Sequence, residues 1–218
     1  MKKRKSKIKA IIFDIGGVLE LSNTELVKTP GKHSQFWNKG VHNYVAKKLG
    51  ISLDRYFDSI DAPYTESMEG KVSEEKATKT LAQNLQLSVK KLKRLYFNAY
   101  AGNFNTNMGL YHKAWKLKKQ GYKIAILSDQ WNLSKPALAP KRTMKKFDVV
   151  MISCEVGLRK PNPEIYKRTL RQLKVHAKEV IFIDNQEWNL KPAKKLGMKT
   201  ILFKNNKQTI EELDGMLD

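Results

Sequence analysis

Cysteine is almost absent from this sequence, with Cys154 the single one. One cysteine forms no internal disulfide, which favours a reducing compartment, and we expect a cytoplasmic location. Long apolar runs are also missing: the longest ones, such as Val180 to Ile183, fall far short of the roughly 18 residues that cross a bilayer. Residues 1–7 are basic and lack the apolar stretch of a signal peptide. We therefore expect no membrane partner.

Arginine is scarce within a strongly basic composition. The 218 residues include 42 Lys and Arg against 21 Asp and Glu, a net charge of +21, but only seven of the basic residues are Arg. Arginine reads phosphates and base edges through paired donors, whereas the lysines here are scattered over nearly every segment. The charge therefore gives only weak support to a nucleic-acid partner, which stays an alternative interpretation.

The length fits one large domain with a smaller insertion. After the basic tail at residues 1–7, a short apolar strand from Ile8 to Phe13 is predicted. The apolar spacing then becomes helical until about Asn107. We predict a core made of residues 8–19 and 108–218, with residues 20–107 inserted as a helical cap.

Helices and short apolar strands alternate through the second half of the chain. The pattern predicts an α/β fold, with a Rossmann-like three-layer core in which helices cover both faces of a parallel sheet. The predicted helices are Met108–Gln120, Pro163–Leu173, Asn189–Leu196 and one from Gln208, and the predicted strands are Tyr122–Leu127, Asp148–Ser153, Val180–Ile183 and Thr200–Phe203.

Polar residues stand where these strands end, and ligands of parallel sheets bind beyond the carboxyl ends of strands. Carboxylates can hold a magnesium ion or attack a phosphoryl group, a lysine can neutralise phosphoryl charge, and a hydroxyl can hydrogen-bond its oxygens. Each residue alone also fits a turn or a helix start. The residues at the strand ends, in chain order, are Asp14, Ser128 with Asp129, Lys160, and Asp184 with Asn185.

Four stretches resemble the motifs of the haloacid dehalogenase-like hydrolases, in particular members with a helical cap, such as sugar-phosphate phosphatases and the phosphatase-like half of soluble epoxide hydrolase. The stretches are IIFDIGGVL from Ile11, IAILSDQ from Ile124, GLRKPNPEIY from Gly157 and VIFIDNQEWN from Val180. The resemblance implies a magnesium-dependent phosphatase that acts on a small phosphorylated metabolite through an aspartyl-phosphate.

The resemblance also implies roles for individual residues. Asp14 would be the nucleophile and a metal ligand, and Lys160 would neutralise charge on the nucleophile and the phosphate. Phosphate would be bound by Ser128, Lys160 and the loop at Ile15 and Gly16. Magnesium would be held by Asp14, the Gly16 carbonyl, Asp184 and Asn185.

The sequence departs from the family pattern at Gly16, where phosphatases of this family usually carry a second Asp as proton carrier. General acid and base help is worth roughly 10²–10⁴ in rate. Asp129 either takes over that role or caps the next helix. Asn185 stands where a second Asp is frequent, which lowers the negative charge around the metal. A catalytically weak phosphate-binding or regulatory protein with the same fold is therefore an alternative to an efficient enzyme.

Overall fold

A computed structural model describes residues 8–23 and 40–217 of the chain. The predicted basic tail at residues 1–7 and residues 24–39 of the predicted cap lie outside the described residues. Within the described part no helix is long and apolar enough to cross a bilayer.

Five parallel strands form the central sheet of the described residues. They are β1 (Ala10–Phe13), β4 (Lys123–Ser128), β5 (Val149–Ile152), β6 (Val180–Asp184) and β7 (Lys199–Leu202). Their order across the sheet is β5-β4-β1-β6-β7, so β4 and β5 are added on one side of β1, and β6 and β7 on the other. Their apolar runs are buried on both faces, as expected for a parallel sheet covered by helices.

Helices cover both faces of the sheet and confirm the predicted three-layer α/β class. Alternate residues of β1 enter different apolar clusters: Ile11 and Phe13 pack on one face, and Ala10 and Ile12 on the other. The helices of this part are α5 (Met108–Lys119), α6 (Lys135–Leu138), α7 (Lys141–Met144), α8 (Ser153–Val156), α9 (Pro163–Leu173), α10 (Glu187–Lys195) and α11 (Asn206–Leu217).

In the described residues between β1 and α5 there are four helices: α1 (Val41–Leu49), α2 (Leu53–Met68), α3 (Glu74–Asn84) and α4 (Val89–Asn103). Serines begin three of them, because each Ser hydroxyl accepts a hydrogen bond from an amide of the first turn: Ser52 for α2, Ser73 for α3 and Ser88 for α4.

A two-stranded antiparallel ribbon connects these helices to the core. It pairs β2 (Glu20–Ser22) with β3 (Phe104–Thr106). This ribbon was not predicted from the sequence, because three-residue strands of largely polar composition have too few residues to show a period. In the core, α10 begins at Glu187, two residues before Asn189, the helix start predicted from the sequence. The shift places Asn189 inside the first turn of the helix.

Candidate active site

Three neighbouring strands bring the predicted site residues together. Asp14 follows β1, Ser128 ends β4 and Asp184 ends β6, and β1 lies between the other two. Neighbouring strands lie about 4.8 Å apart, so residues distant in the chain meet at one edge of the sheet. This edge includes the point between β1 and β6 where ligands of open α/β sheets bind.

Lys160 reaches this edge from the loop before α9 and joins two carboxylates. Its Nζ lies 3.1 Å from Asp14 Oδ1 and 2.7 Å from Asp184 Oδ2. All three residues are buried, with exposed fractions of 2% for Lys160, 6% for Asp14 and 0% for Asp184. Burial lowers the pKa of Lys160, but the carboxylates of Asp14, Asp184 and Asp129 outweigh burial and raise it above its ordinary value. The lysine is therefore held as a cation.

Ser128 lies beside the Asp14 carboxylate. Burial raises the pKa of Asp14 to about 6, against the opposing attraction of Lys160 and a hydrogen bond from the Ser128 hydroxyl. The Ile15 amide donates to Asp14 Oδ1 at 2.7 Å. Ile15, which was predicted to bind phosphate, thus donates its amide to Asp14, the predicted nucleophile.

Asp184 has both oxygens occupied by protein donors. Asn189 Nδ2 lies 3.2 Å from Oδ1 and 3.1 Å from Oδ2, and the Gln186 amide donates to Oδ1 at 2.8 Å. Lys160 Nζ donates to Oδ2. Because α10 begins at Glu187, Asn189 lies in its first turn and faces the end of β6. Asn189 was predicted as the first residue of the helix, and its contact with Asp184 was not predicted from the sequence.

Asn185 lies beside the loop after β1. Its Oδ1 is buried and has no hydrogen-bond partner within the described residues. A Cβ at Gly17 would come within 2.2 Å of Asn185 Nδ2, and Gly17 has a φ of +80°. Glycine is therefore required at residue 17 both for its backbone conformation and for this close approach. An orphaned buried oxygen beside the loop that carries Gly17 fits a cation ligand.

Asp129 contacts the backbone that carries Lys160. Its Oδ1 accepts a hydrogen bond of 3.0 Å from the Lys160 amide, and its Oδ2 lies 3.8 Å from Arg159 Nε. Burial raises the pKa of Asp129, while Lys160 and Arg159 oppose the rise. The carboxylate thus holds the Lys160 loop in place, a contact that neither of the two predicted roles included.

The inserted helices pack directly on the loop after β4. Trp131 Nε1 donates to the Tyr100 hydroxyl of α4 at 2.7 Å, and the Asn132 amide donates to Ser67 Oγ of α2 at 3.1 Å. The Trp131 ring also packs edge-on against Tyr64, with ring centres 4.8 Å apart. These contacts attach the inserted helices to the segment that begins with Ser128.

Sequence comparisons show the family to which the chain belongs. Residues 8–197 match the sequence profile of the haloacid dehalogenase-like hydrolases. The chain belongs to this family of hydrolases. It is 30% identical over 220 residues to bifunctional epoxide hydrolase 2 of Sus scrofa, an alignment that covers 95% of this chain but only 38% of the relative's length. It is also 26% identical to glyceraldehyde 3-phosphate phosphatase of Methanocaldococcus jannaschii, covering 97% of this chain and 91% of that protein.

Solved structures share the fold. A HAD-like family hydrolase from Porphyromonas gingivalis has a TM-score of 0.70 at 22% identity and covers 94% of this chain, with 97% of its own length aligned. A HAD family enzyme from Bacteroides thetaiotaomicron, in complex with magnesium and inorganic phosphate, has a TM-score of 0.67 at 22% identity, with 90% and 94% covered. Both alignments include the inserted helices as well as the core.

Proposed function

We propose that this protein is a magnesium-dependent phosphatase of a small phosphorylated metabolite. The observation that carries the proposal is the buried Asp14 carboxylate, which contacts Lys160 and Ser128 at the ligand-binding edge of the sheet. The phosphatase relative supports the reaction, and the magnesium and phosphate in the structural relative support the cofactor. The same likenesses give no support to the nucleic-acid alternative.

In the proposed reaction Asp14 forms a covalent intermediate. An Asp14 carboxylate oxygen attacks phosphorus, the ester P–O bond breaks, and the leaving alcohol takes up a proton. Water then attacks the phosphorus of the aspartyl-phosphate, which releases inorganic phosphate and regenerates the carboxylate. Lys160 and the Ser128 hydroxyl would stabilise negative charge on the phosphoryl oxygens.

Magnesium would be held by the Asp14 carboxylate, the Gly16 carbonyl and Asn185 Oδ1. When bound, it supplies a Lewis acid that neutralises phosphoryl charge. The orphaned Asn185 oxygen supports its inclusion in this set. Asp184, also predicted as a ligand, accepts hydrogen bonds from Lys160, Asn189 and the Gln186 amide. We infer that its carboxylate both fixes Lys160 and completes the magnesium set, since carboxylate oxygens are the ligands that magnesium prefers.

The direct test is phosphate release from a panel of sugar phosphates and other small phosphate monoesters, with magnesium and with a chelator. We expect release that the chelator abolishes and added magnesium restores. A weak phosphate-binding protein, which the missing carboxylate at Gly16 favours, would bind inorganic phosphate in calorimetry and release none from the panel. Absence of both binding and release would reject the phosphate site altogether.

The role of Asp129 is tested by its replacement with Asn. Asparagine keeps the oxygen that accepts from the Lys160 amide but loses the carboxylate proton. If Asp129 carries the proton, Asp129→Asn should slow sugar-phosphate hydrolysis by about 10²-fold or more. It should affect p-nitrophenyl phosphate far less, since that leaving group needs little protonation. Equal, small effects on both substrates would show that Asp129 does not carry the proton and only holds the Lys160 loop. Asp129→Ala would then be more damaging than Asp129→Asn, because alanine cannot accept from the Lys160 amide.

Gly16→Asp provides the complementary prediction. A Cβ at Gly16 would meet no atom within 4 Å, so a side chain can start from this backbone position without a clash at its first atom. We expect Gly16→Asp to accelerate hydrolysis of sugar phosphates by about tenfold or more, with little change for p-nitrophenyl phosphate. Gly16→Asn is the matched control, since it adds similar volume without a proton carrier. Equal rates for the Asp and Asn variants would show that another group supplies the proton.

A further inference from the structure

Gln130 contacts the Ser128 hydroxyl and is itself buried, with 4% exposed. Its Nε2 lies 3.1 Å from Ser128 Oγ. A hydroxyl has one proton to donate, whereas an amide nitrogen only donates. Ser128 therefore accepts from Gln130, and its single proton remains for the Asp14 carboxylate.

Ser134 determines which end of the Gln130 amide faces Ser128. Ser134 Oγ lies 3.0 Å from the Trp131 carbonyl oxygen but only 2.6 Å from Gln130 Oε1. Such a separation belongs to O–H···O bonds, which span roughly 2.5–3.0 Å, while N–H···O bonds begin at about 2.7 Å. The oxygen of the amide therefore faces Ser134, and the NH₂ group faces Ser128.

The backbone of Gln130 is fixed as well. Its amide donates to Ser153 Oγ, and Ser153 Oγ donates to the Gln130 carbonyl, each at 3.0 Å. The next residue, Trp131, is held by Tyr100 of α4. Ser153 thus holds the main chain of Gln130, and Ser134 holds the oxygen of its side-chain amide. With Oε1 bound to Ser134, Gln130 presents Nε2 to Ser128.

We propose that Gln130 is a positioning residue of the phosphate site. It keeps the Ser128 proton directed at Asp14 and at the phosphoryl group that Asp14 would carry. This inference rests on the proposed phosphatase function. Because a buried hydrogen bond to a charged group strengthens as the charge develops, the loss of this orientation should reduce catalysis more than folding.

The test is a double-mutant cycle between Gln130→Met and Ser128→Ala, since methionine has a similar volume and no donor. The readouts are kcat/KM for p-nitrophenyl phosphate, the inhibition constant of inorganic phosphate, and the unfolding midpoint. We expect Gln130→Met to lower kcat/KM about tenfold and to weaken phosphate inhibition when Ser128 is present. The same change should have no further effect in the Ser128→Ala protein.

Equal losses in both backgrounds, or no loss in either, would overturn the inference. Should Gln130→Met fail to fold, Ser134→Ala serves instead, because it releases the amide to rotate; its loss should likewise vanish without Ser128. Thr169→Val, which removes a buried hydroxyl of α9, is the control for loss of a buried polar group and should leave both constants unchanged. A wild-type protein with neither activity nor phosphate binding would reject the proposed function itself, whereas an active protein with additive losses rejects only the role of Gln130.

Discussion

Asp14→Asn abolishes phosphate release while the protein stays folded: this is the result we expect from the proposed mechanism. An amide is nearly isosteric with the carboxylate but is a poor nucleophile and a weaker magnesium ligand. We expect kcat to fall by a factor on the order of 10⁴ or more, as for other removed nucleophiles. Steady-state hydrolysis of the best substrate of the panel measures this loss.

Folding should survive this substitution because Lys160 keeps its contact with Asp184, 2.7 Å away. Circular dichroism and the unfolding midpoint therefore serve as the structural control. Asp58→Asn, on the exposed side of α2, makes the same chemical change away from the site and should retain wild-type activity. A folded Asp14→Asn protein with most of the wild-type rate would remove Asp14 from the chemistry.

Lys160→Met should damage both activity and stability. Methionine fills most of the lysine volume, so the main change is the loss of a charge that two buried carboxylates share. Breaking a buried ion pair by removal of one partner costs about 3–5 kcal/mol of unfolding free energy. Loss of one group that stabilises transition-state charge costs about 10²–10³ in kcat. Denaturant unfolding and steady-state kinetics measure the two effects separately.

A second substitution separates these two effects. Asp184→Asn removes one of the carboxylates that Lys160→Met leaves unpaired, and its amide oxygen can still accept from the Gln186 amide. We expect the Lys160→Met/Asp184→Asn protein to recover much of the lost stability and none of the lost activity. Recovery of both would mean that Lys160 supports the fold alone, and an unchanged kcat with a raised KM would confine Lys160 to substrate binding.

The fold class was predictable from the sequence because its signal is local. Apolar runs of four to six residues, separated by helical spacing, indicate a parallel sheet with helices on both faces, and the structure confirms this arrangement. Asp14, Ser128 and Asp184 follow or end strands, so their meeting at one edge follows from the sheet geometry. The resemblance to the hydrolase family rested on the same stretches of sequence.

The partners of these residues were decided by the tertiary structure. No periodicity in the sequence predicts the contacts of Asn189 with Asp184, of Gln130 with Ser128 and of Asp129 with the Lys160 amide, or the ribbon of β2 and β3. Each depends on the direction in which a side chain leaves its backbone and on which atoms another segment places within about 3 Å. The sequence by itself determined which residue types stand at the strand ends. Only the folded chain brings together residues that are 24 to 146 positions apart, such as Lys160 with Asp184 and Lys160 with Asp14. The tertiary structure therefore decided which polar atoms at the strand ends are paired with one another and which are left to bind a ligand.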